Sequence, residues 1–261
     1  NSPEFVLAWF ACAELGAVAV STNTRCVARD LEYFAAHTDA VWVLTQPAYA
    51  AMIRGACRAI RFLAVTDTDA GAPAAADPAW DAVPFGELFA ADDEALPDRP
   101  VDAQANLSVQ FTSGTTSRPK AVLWTHANGV WAARAGANHL RLRHEDRTLV
   151  FMPLFHTNAQ GWSMLPMLWV GGTLVVQPRF SSSRFWEISL RHELTWLSTI
   201  PFAFKAIADQ PVPAHQYRFW GTGAHLPELG ETFGVDVIGW WGMTETITQG
   251  IITDLDHRGP R

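Results

Sequence analysis

The sequence predicts an α/β fold, with mostly parallel, doubly wound sheets and flanking helices. Three observations predict it. Short, continuously apolar runs recur along the chain, as strands buried on both faces do. Segments of helical periodicity separate those runs. The composition, 49% hydrophobic and 17% charged over 261 residues, supplies material for a large core.

In chain order, Ser2 is placed to cap a first helix, with Pro3 at its first position. Phe5, Ala8, Trp9, Cys12 and Leu15 then recur at helical spacing, and Gly16 can end the helix. Residues 17–20 read as a short buried strand, 30–36 as a helix, 41–44 as a strand, 47–58 as a helix and 60–65 as a third strand. Ala, Asp, Gly and Pro dominate residues 67–82 and again 90–104, which read as surface connections. Leu107, Val109 and Phe111 alternate with Ser108 and Gln110, the period of a half-buried strand, and residues 121–124 are apolar again. His126 and Asn128 read as caps of the helix that starts at 128. Strands are expected at 148–152, 173–176, 196–200, 218–221 and 235–238, with helical segments between them and no internal repeat.

The formal net charge of −7 argues against a nucleic-acid surface, which normally displays a clustered basic excess. Any anionic ligand must then be held by local groups. No apolar run reaches the roughly 20 residues of a membrane span, and the opening Asn1, Ser2, Pro3, Glu4, Phe5 is not the basic start of a signal peptide, so a cytoplasmic protein is expected. Cys12, Cys26 and Cys57 are odd in number and lack C-x-x-C spacing, which disfavours a disulfide framework or a zinc site. The 12 tryptophans point to a wide core or aromatic-lined cavities.

The strand that ends at Phe111 runs into Thr112, Ser113, Gly114, Thr115, Thr116 and Ser117, followed by Pro119 and Lys120. Gly114 lets the backbone approach a ligand closely, hydroxyl and N–H groups can donate to phosphate oxygens, and Lys120 adds a cation. A solvated Ser/Thr-rich turn is the plain alternative, although such turns seldom sit between two apolar strands. A Walker-type loop fails on spacing, because Pro119 precedes Lys120 and Ala121 follows it. The stretch resembles the T-S-G-T-T-G-x-P-K-G loop of the adenylate-forming (AMP-dependent synthetase/ligase) superfamily, with Ser117 and Ala121 standing where that family usually has Gly.

Residues 239–245, G-W-W-G-M-T-E, resemble the same family's Y-G-M-T-E, with Trp241 in place of Tyr. The resemblance implies that Trp241 stacks on adenine, that Thr244 meets the α-phosphate and that Glu245 holds Mg²⁺, with Trp240, Gly242 and Met243 completing the turn. Residues 219–227, F-W-G-T-G-A-H-L-P, are similar to the family's G-G-A-x-L-P turn, which implies Gly221 and Thr222 beside the acyl group and Gly223, Ala224 and His225 beside the nucleotide. Residues 152–162, M-P-L-F-H-T-N-A-Q-G-W, resemble its P-L-F-H segment, implying that His156, Asn158 and Trp162 line the acyl pocket. Taken without the resemblance, a lone His after a strand is more often structural, and a Gly-rich turn is weak evidence. Lys205, Arg25 and Arg184 have no motif around them and read as surface cations.

The resemblance covers essentially the whole chain and is strongest to acyl-CoA synthetases of the crotonobetaine/carnitine or medium-chain type. It implies an enzyme that uses ATP, Mg²⁺ and coenzyme A: a carboxylate attacks the α-phosphorus to give an acyl-adenylate and pyrophosphate, and the coenzyme A thiol then displaces AMP. Lys120, Thr244 and Glu245 are the catalytic candidates. A peptide-synthetase adenylation domain and a non-catalytic nucleotide-binding remnant are the rival readings, and a homo-oligomer is compatible with the sequence. The chain begins within the family's early helix and stops ahead of its T-G-D segment, hinge and small C-terminal domain. Residues 1–261 are therefore expected to be a partial N-terminal domain, incomplete at both ends and inactive alone.

Overall fold

A computed structural model describes residues 1–74, 77–89, 100, 102–112, 118–223 and 227–256. The chain divides into two compact units, one holding residues 2–102 and 107–109, the other residues 1, 103–106 and 110–261.

The first unit opens with α1 (Pro3–Glu14). The Ser2 hydroxyl accepts the Phe5 N–H at 3.4 Å, as an N-cap should, and Gly16 takes the left-handed φ of 67° just past the helix end. Trp9 is the buried residue of this helix, and its indole donates to Ser108 Oγ (3.3 Å), which itself donates to the Ala19 carbonyl (2.9 Å) in β1 (Ala19–Ser21). Next come α2 (Ala28–His37), β2 (Trp42–Thr45), α3 (Pro47–Ala56) and β3 (Phe62–Val65). The connection expected over 67–82 has structure of its own. β4 (Thr68–Asp69) and β5 (Ala72–Pro73) pair antiparallel, and β6 (Val83–Pro84) adds to β3 in parallel. Strands of two residues are too short to show any period, so the sequence could not reveal them. The parallel sheet β2-β3-β6 carries a core of Ala50, Ile53, Cys57, Ile60, Leu63 and Val65. Cys12, Cys26 and Cys57 are free, and burial raises the pKa of each thiol, keeping it protonated.

β7 (Asn106–Thr112) contributes to both units, and β8 (Lys120–Thr125) lies beside it. α4 (His126–His139) follows without a break. Its cap differs from the expected one: Thr125 Oγ1 accepts the Asn128 N–H (3.2 Å) while Asn128 Oδ1 accepts the Thr125 N–H (3.0 Å). This reciprocal box keeps Asn128 in the capping role but puts Thr125, not His126, at its other half.

The remainder of the second unit alternates strand and helix: β9 (Arg147–Val150), α5 (Thr157–Ala159), a π-helical turn (Gln160–Met164), α6 (Leu165–Trp169), β10 (Thr173–Val176), α7 (Phe185–Arg191), β11 (Trp196–Thr199), α8 (Pro201–Ile207), β12 (Phe219–Thr222), α9 (Pro227–Phe233), β13 (Asp236–Trp241) and β14 (Ile251–Ile252). The sheet order is β10-β9-β11-β12-β13-β14, parallel except for the antiparallel edge β14. Helices cover both faces. Leu197, Trp220 and Val237 pack on one side with Phe185, Phe204, Ile207 and Phe233, while Trp196, Phe219, Ile238 and Trp240 pack on the other with Ala137, Leu140, Trp162 and Met167. The doubly wound parallel expectation therefore holds in this unit.

A buried carboxylate pins the end of the sheet where the strands start. Asp146, 3% exposed, accepts from the Arg143 N–H (2.8 Å), the Thr195 hydroxyl (2.6 Å) and Arg218 Nε and Nη2 (3.1 and 2.7 Å), gathering the entries of β9, β11 and β12. From β9 the chain steps to one side for β10 and to the other for β11, so the winding direction reverses at β9. In sheets of this kind the crevice at the carboxyl ends beside such a reversal is where ligands bind. Among the described residues, no helix is long and apolar enough to cross a membrane.

Candidate functional site

The carboxyl ends of β9, β11, β12 and β13 carry most of the residues that the motifs single out. After β9, His156 precedes α5, exposed to solvent; the neighbouring protein still desolvates its imidazole enough to lower its pKa below the usual histidine value. Asn158 is held from β11: its Oδ1 accepts the Ser198 hydroxyl at 2.7 Å, and its carbonyl accepts the Ser163 hydroxyl at 3.1 Å. The Asn158–Ser198 bond thus sits where the sheet winding reverses.

Three motif segments are fastened to one another by groups the sequence did not mark. Gln110, two residues before Thr112 on β7, donates through Nε2 to Gln160 Oε1 (2.5 Å), and its Oε1 accepts the Thr157 hydroxyl (2.9 Å). All three side chains are buried. The base of the hydroxyl-rich loop is thereby tied to the segment that follows His156. Trp124, on the strand that begins with Lys120, donates its indole N–H to the Thr244 carbonyl at 2.9 Å. The turn after Glu245 closes the set, because the Ile247 carbonyl oxygen lies 2.0 Å from where a Cβ on Gly161 would stand. Only glycine lets the π-helical turn and the Glu245 segment approach this closely. π-helical turns of this kind often occur at functional sites.

The 239–247 turn is internally braced. The Thr246 hydroxyl accepts from the Met243 N–H (3.1 Å), and the Gly250 N–H donates to the Trp241 carbonyl (2.9 Å). Ile247 holds a φ of 58° while only 4% exposed, an outlying conformation for a β-branched residue. Gly242 is a second place where side-chain atoms are excluded: an added Cβ would stand 2.6 Å from the Trp162 ring and 2.9 Å from the Thr248 carbonyl oxygen.

Alternation along β13 sends its two tryptophans to opposite faces of the sheet. Trp241 is 52% exposed beside the exposed Met243, so its ring is open to a stacking partner. Trp240, expected beside the nucleotide, is 4% exposed and lies against residues expected at the acyl group: its six-membered ring fills the space over Gly221 and meets Trp162 edge-on, with centroids 5.9 Å apart. Gly221 and Thr222 likewise point opposite ways, which puts Thr222 on the Trp241 side, in register with Thr199 and Gly239. The Thr199 and Thr222 hydroxyls are buried without a hydrogen-bond partner among the described residues. Thr199, Ser198, Gln110 and Trp124 are site-bordering residues that no motif flagged; their only sequence signal is a polar or aromatic residue at or near the end of an apolar strand.

Lys120 is exposed at the first position of β8, Thr112 is half-buried at the end of β7, Gly223 is exposed, Thr244 is half-buried and Glu245 is exposed. Ser113, Gly114, Thr115, Thr116, Ala224 and His225 lie outside the described residues. Among the described residues no group of three or more His, Cys, Asp or Glu side chains could hold a metal by itself. A single carboxylate such as Glu245 still fits Mg²⁺, which usually takes one or two carboxylates and completes its shell with phosphate oxygens and water.

The chain is 31% identical over 269 aligned residues to crotonobetaine/carnitine–CoA ligase of Shigella flexneri serotype 5b, an alignment covering 97% of this chain and 51% of that protein. The chain spans about half the length of the curated relatives it matches. Among solved structures, the inhibitor-bound N-terminal domain of FACL13 from Mycobacterium tuberculosis superposes with a TM-score of 0.81 at 25% identity, over 97% of this chain and 63% of that one. The o-succinylbenzoate coenzyme A synthetase of Bacillus subtilis, solved with ATP and a magnesium ion, gives a TM-score of 0.77 at 26% identity, over 98% and 50%. The model of the AMP-binding enzyme family matches residues 1–260, and the chain belongs to that family.

Proposed function

We propose that the protein carrying this chain activates a carboxylic acid with ATP, giving an acyl-adenylate and pyrophosphate, and transfers the acyl group to the thiol of coenzyme A. One observation carries this reading: the segments of Lys120, His156 and Glu245 are fastened together through Trp124–Thr244, Gln110–Thr157–Gln160 and Gly161–Ile247. The relatives support it, since a CoA ligase is 31% identical to the chain and a CoA synthetase bears this fold.

In this reading the chain supplies no nucleophile. The substrate carboxylate attacks the α-phosphorus, and the protein's task is to hold charge on phosphate oxygens while the bond to pyrophosphate breaks. Thr112, the hydroxyl-rich loop 113–116 and Lys120 grip the β- and γ-phosphates. Gly223, Ala224, His225, Gly242 and Met243 border the AMP half, Trp241 stacks on the adenine, and Thr244 donates to the α-phosphate. Glu245 would hold Mg²⁺, whose contribution when bound is Lewis-acid neutralisation of phosphate charge. His156, neutral at pH 7 because its pKa is lowered, can stand beside the incoming carboxylate as a hydrogen-bond donor without forming an ion pair that would hold it back.

The test is acid-dependent exchange of labelled pyrophosphate into ATP by the full-length protein, followed by a coenzyme A thioester assay. The Lys120→Ala variant should lose about one to three orders of magnitude in exchange, the worth of one donor aimed at transition-state charge, while keeping its thermal midpoint because Lys120 is exposed. Exchange that is independent of any acid, or unaltered in this variant, refutes the assignment.

A further inference from the structure

We propose that Asn1 is a positioning residue for the acid: its carboxamide fixes the backbone that leaves β9 and so sets where His156 stands. The proposal rests on the acid-activating function proposed above and adds to it a residue that no motif marks.

β9 and β10 pair in register up to Val150 and Val176, and the Gln177 N–H still donates to the Val150 carbonyl at 3.0 Å. Beyond that rung the two strands have ended, and Pro153 has no N–H to give. Carbonyls left where strands part need other donors. The half-buried Asn1 side chain supplies them. Its Nδ2 donates to the Met152 carbonyl (2.9 Å) and the Gln177 carbonyl (3.1 Å), with a longer approach to the Val150 carbonyl (3.4 Å), and its Oδ1 accepts the Leu154 N–H (2.7 Å). A primary amide carries two N–H groups and one oxygen, so this group acts as one more rung between the two strand ends. Asp in its place would lack both donors, Ser would have one and Ala none. The partners lie 149 to 176 positions away along the chain, and Asn1 groups with their unit and not with residues 2–102, so the bonds are not those of a local turn.

What this rung holds is the approach to His156. It grips Met152 and Leu154 on either side of Pro153, whose carbonyl in turn accepts the His156 N–H at 2.9 Å. Past His156 the same segment is held from the other neighbouring strand, where Ser198 of β11 donates to Asn158 Oδ1 at 2.7 Å. Residues 152–158 are thus suspended between two side-chain ties, one toward β10 and one toward β11, after the strand at which the winding reverses. Without the Asn1 amide, the Met152 and Gln177 carbonyls and the Leu154 N–H must find water or new partners, and the segment shifts with them.

The experiment measures pyrophosphate exchange by the full-length protein and its Asn1→Ala and Asn1→Asp variants, with whichever of acetate, butyrate, octanoate and benzoate exchanges fastest. Asp keeps the size and removes both donors, so damage by Asp as large as that by Ala assigns the effect to the hydrogen bonds and not to the space filled. In both variants kcat/KM for the acid should fall on the order of ten- to a hundredfold through a rise in the acid's KM, while KM for ATP changes by less than about twofold. A loss of folded protein lowers kcat and leaves both KM values alone, so it does not mimic this split. Deuterium exchange of the same proteins should show residues 151–156 losing protection. An unchanged acid KM in both variants, an equal rise for acid and ATP, near-unaltered kinetics in Asn1→Asp, or variants that no longer fold each overturn the positioning role. Faster deuterium exchange with an unchanged acid KM marks a tie that holds shape only, and overturns it as well. No exchange by the unaltered protein with any of the four acids overturns instead the acid-activating function, and the role with it.

Discussion

Replacing Gly161 with alanine should damage activity more than stability, and the sizes of the effects can be worked out. The new Cβ would stand 2.0 Å from the Ile247 carbonyl oxygen and 3.2 Å from its carbon. Carbon and oxygen essentially never approach within 3.0 Å in this setting, so the two backbones must separate by at least 1.0 Å (3.0 − 2.0). Both partners are main chain, one in the π-helical turn and one in the braced turn after Glu245, so no side-chain rotation relieves the clash. Overpacking of this kind costs about 1–3 kcal/mol. Alanine's helical preference over glycine returns about 1 kcal/mol, leaving a net loss of about 0–2 kcal/mol. The displaced element carries Thr244 and Glu245, and a shift of about 1 Å at reacting groups can cost on the order of a hundredfold in rate. The assay is pyrophosphate exchange at saturating ATP beside urea denaturation of the same preparation. Gly55→Ala in α3 is the control: an added Cβ there meets nothing within 4 Å, so it should gain up to about 1 kcal/mol and leave exchange alone. A Gly161→Ala protein with exchange within a factor of two or three of the unaltered one would refute the claim that this contact positions the Glu245 turn.

Glu245→Gln keeps shape and removes charge, so the Mg²⁺ concentration for half-maximal exchange should rise several-fold while the half-saturating acid concentration changes less; separate titrations of the two check this. Asp146→Ala strips the shared acceptor from Arg218, Thr195 and the Arg143 N–H, and should cost about 1.5–3 kcal/mol in urea denaturation, the worth of hydrogen bonds to a charged group, because the Arg218 left behind is partly solvated. Burial pushes the Tyr217 phenol upward, opposed in part by its bond with Ser189 at 2.7 Å. The unfolded chain ionises near pH 10 while the folded one resists, so the stability held by Tyr217 is complete below about pH 10 and is lost as pH rises beyond it. Urea midpoints compared at about pH 8 and about pH 11 should fall less for Tyr217→Phe than for the unaltered protein.

The strands longer than two residues were largely legible, most as short apolar-rich runs and 107–111 as an alternation. Residues 173–176 were read to their bounds, and 196–200 and 235–238 to within a few positions of β11 and β13. Family membership was legible where the motif is contiguous, as in 112–120 and 239–245. What binds those stretches together was not. Gln110 and Gln160 are 50 residues apart, Trp124 and Thr244 are 120 apart, and nothing local distinguishes them from any other polar or aromatic residue at the edge of a strand. Trp240 shows a further limit. The motif placed it with Trp241, and only the pairing of β12 with β13 reveals that it turns to the opposite face and covers Gly221. Gly161 reads as an unremarkable glycine in a helical stretch until the Ile247 carbonyl is in view.

The left-handed backbone at Ile247 also bears on how this turn could be transplanted. Its unfavourable conformation is held by parts that are remote in sequence: the missing Cβ of Gly161, the missing Cβ of Gly242 and the Trp124 indole that fixes Thr244. A graft of residues 239–247 onto another α/β scaffold would carry every side chain of the turn and still relax, because the recipient would lack the helix that leaves room for the Ile247 carbonyl. The smallest portable unit is therefore a set of three distant pieces, and two of its indispensable members are glycines with no side chain to offer.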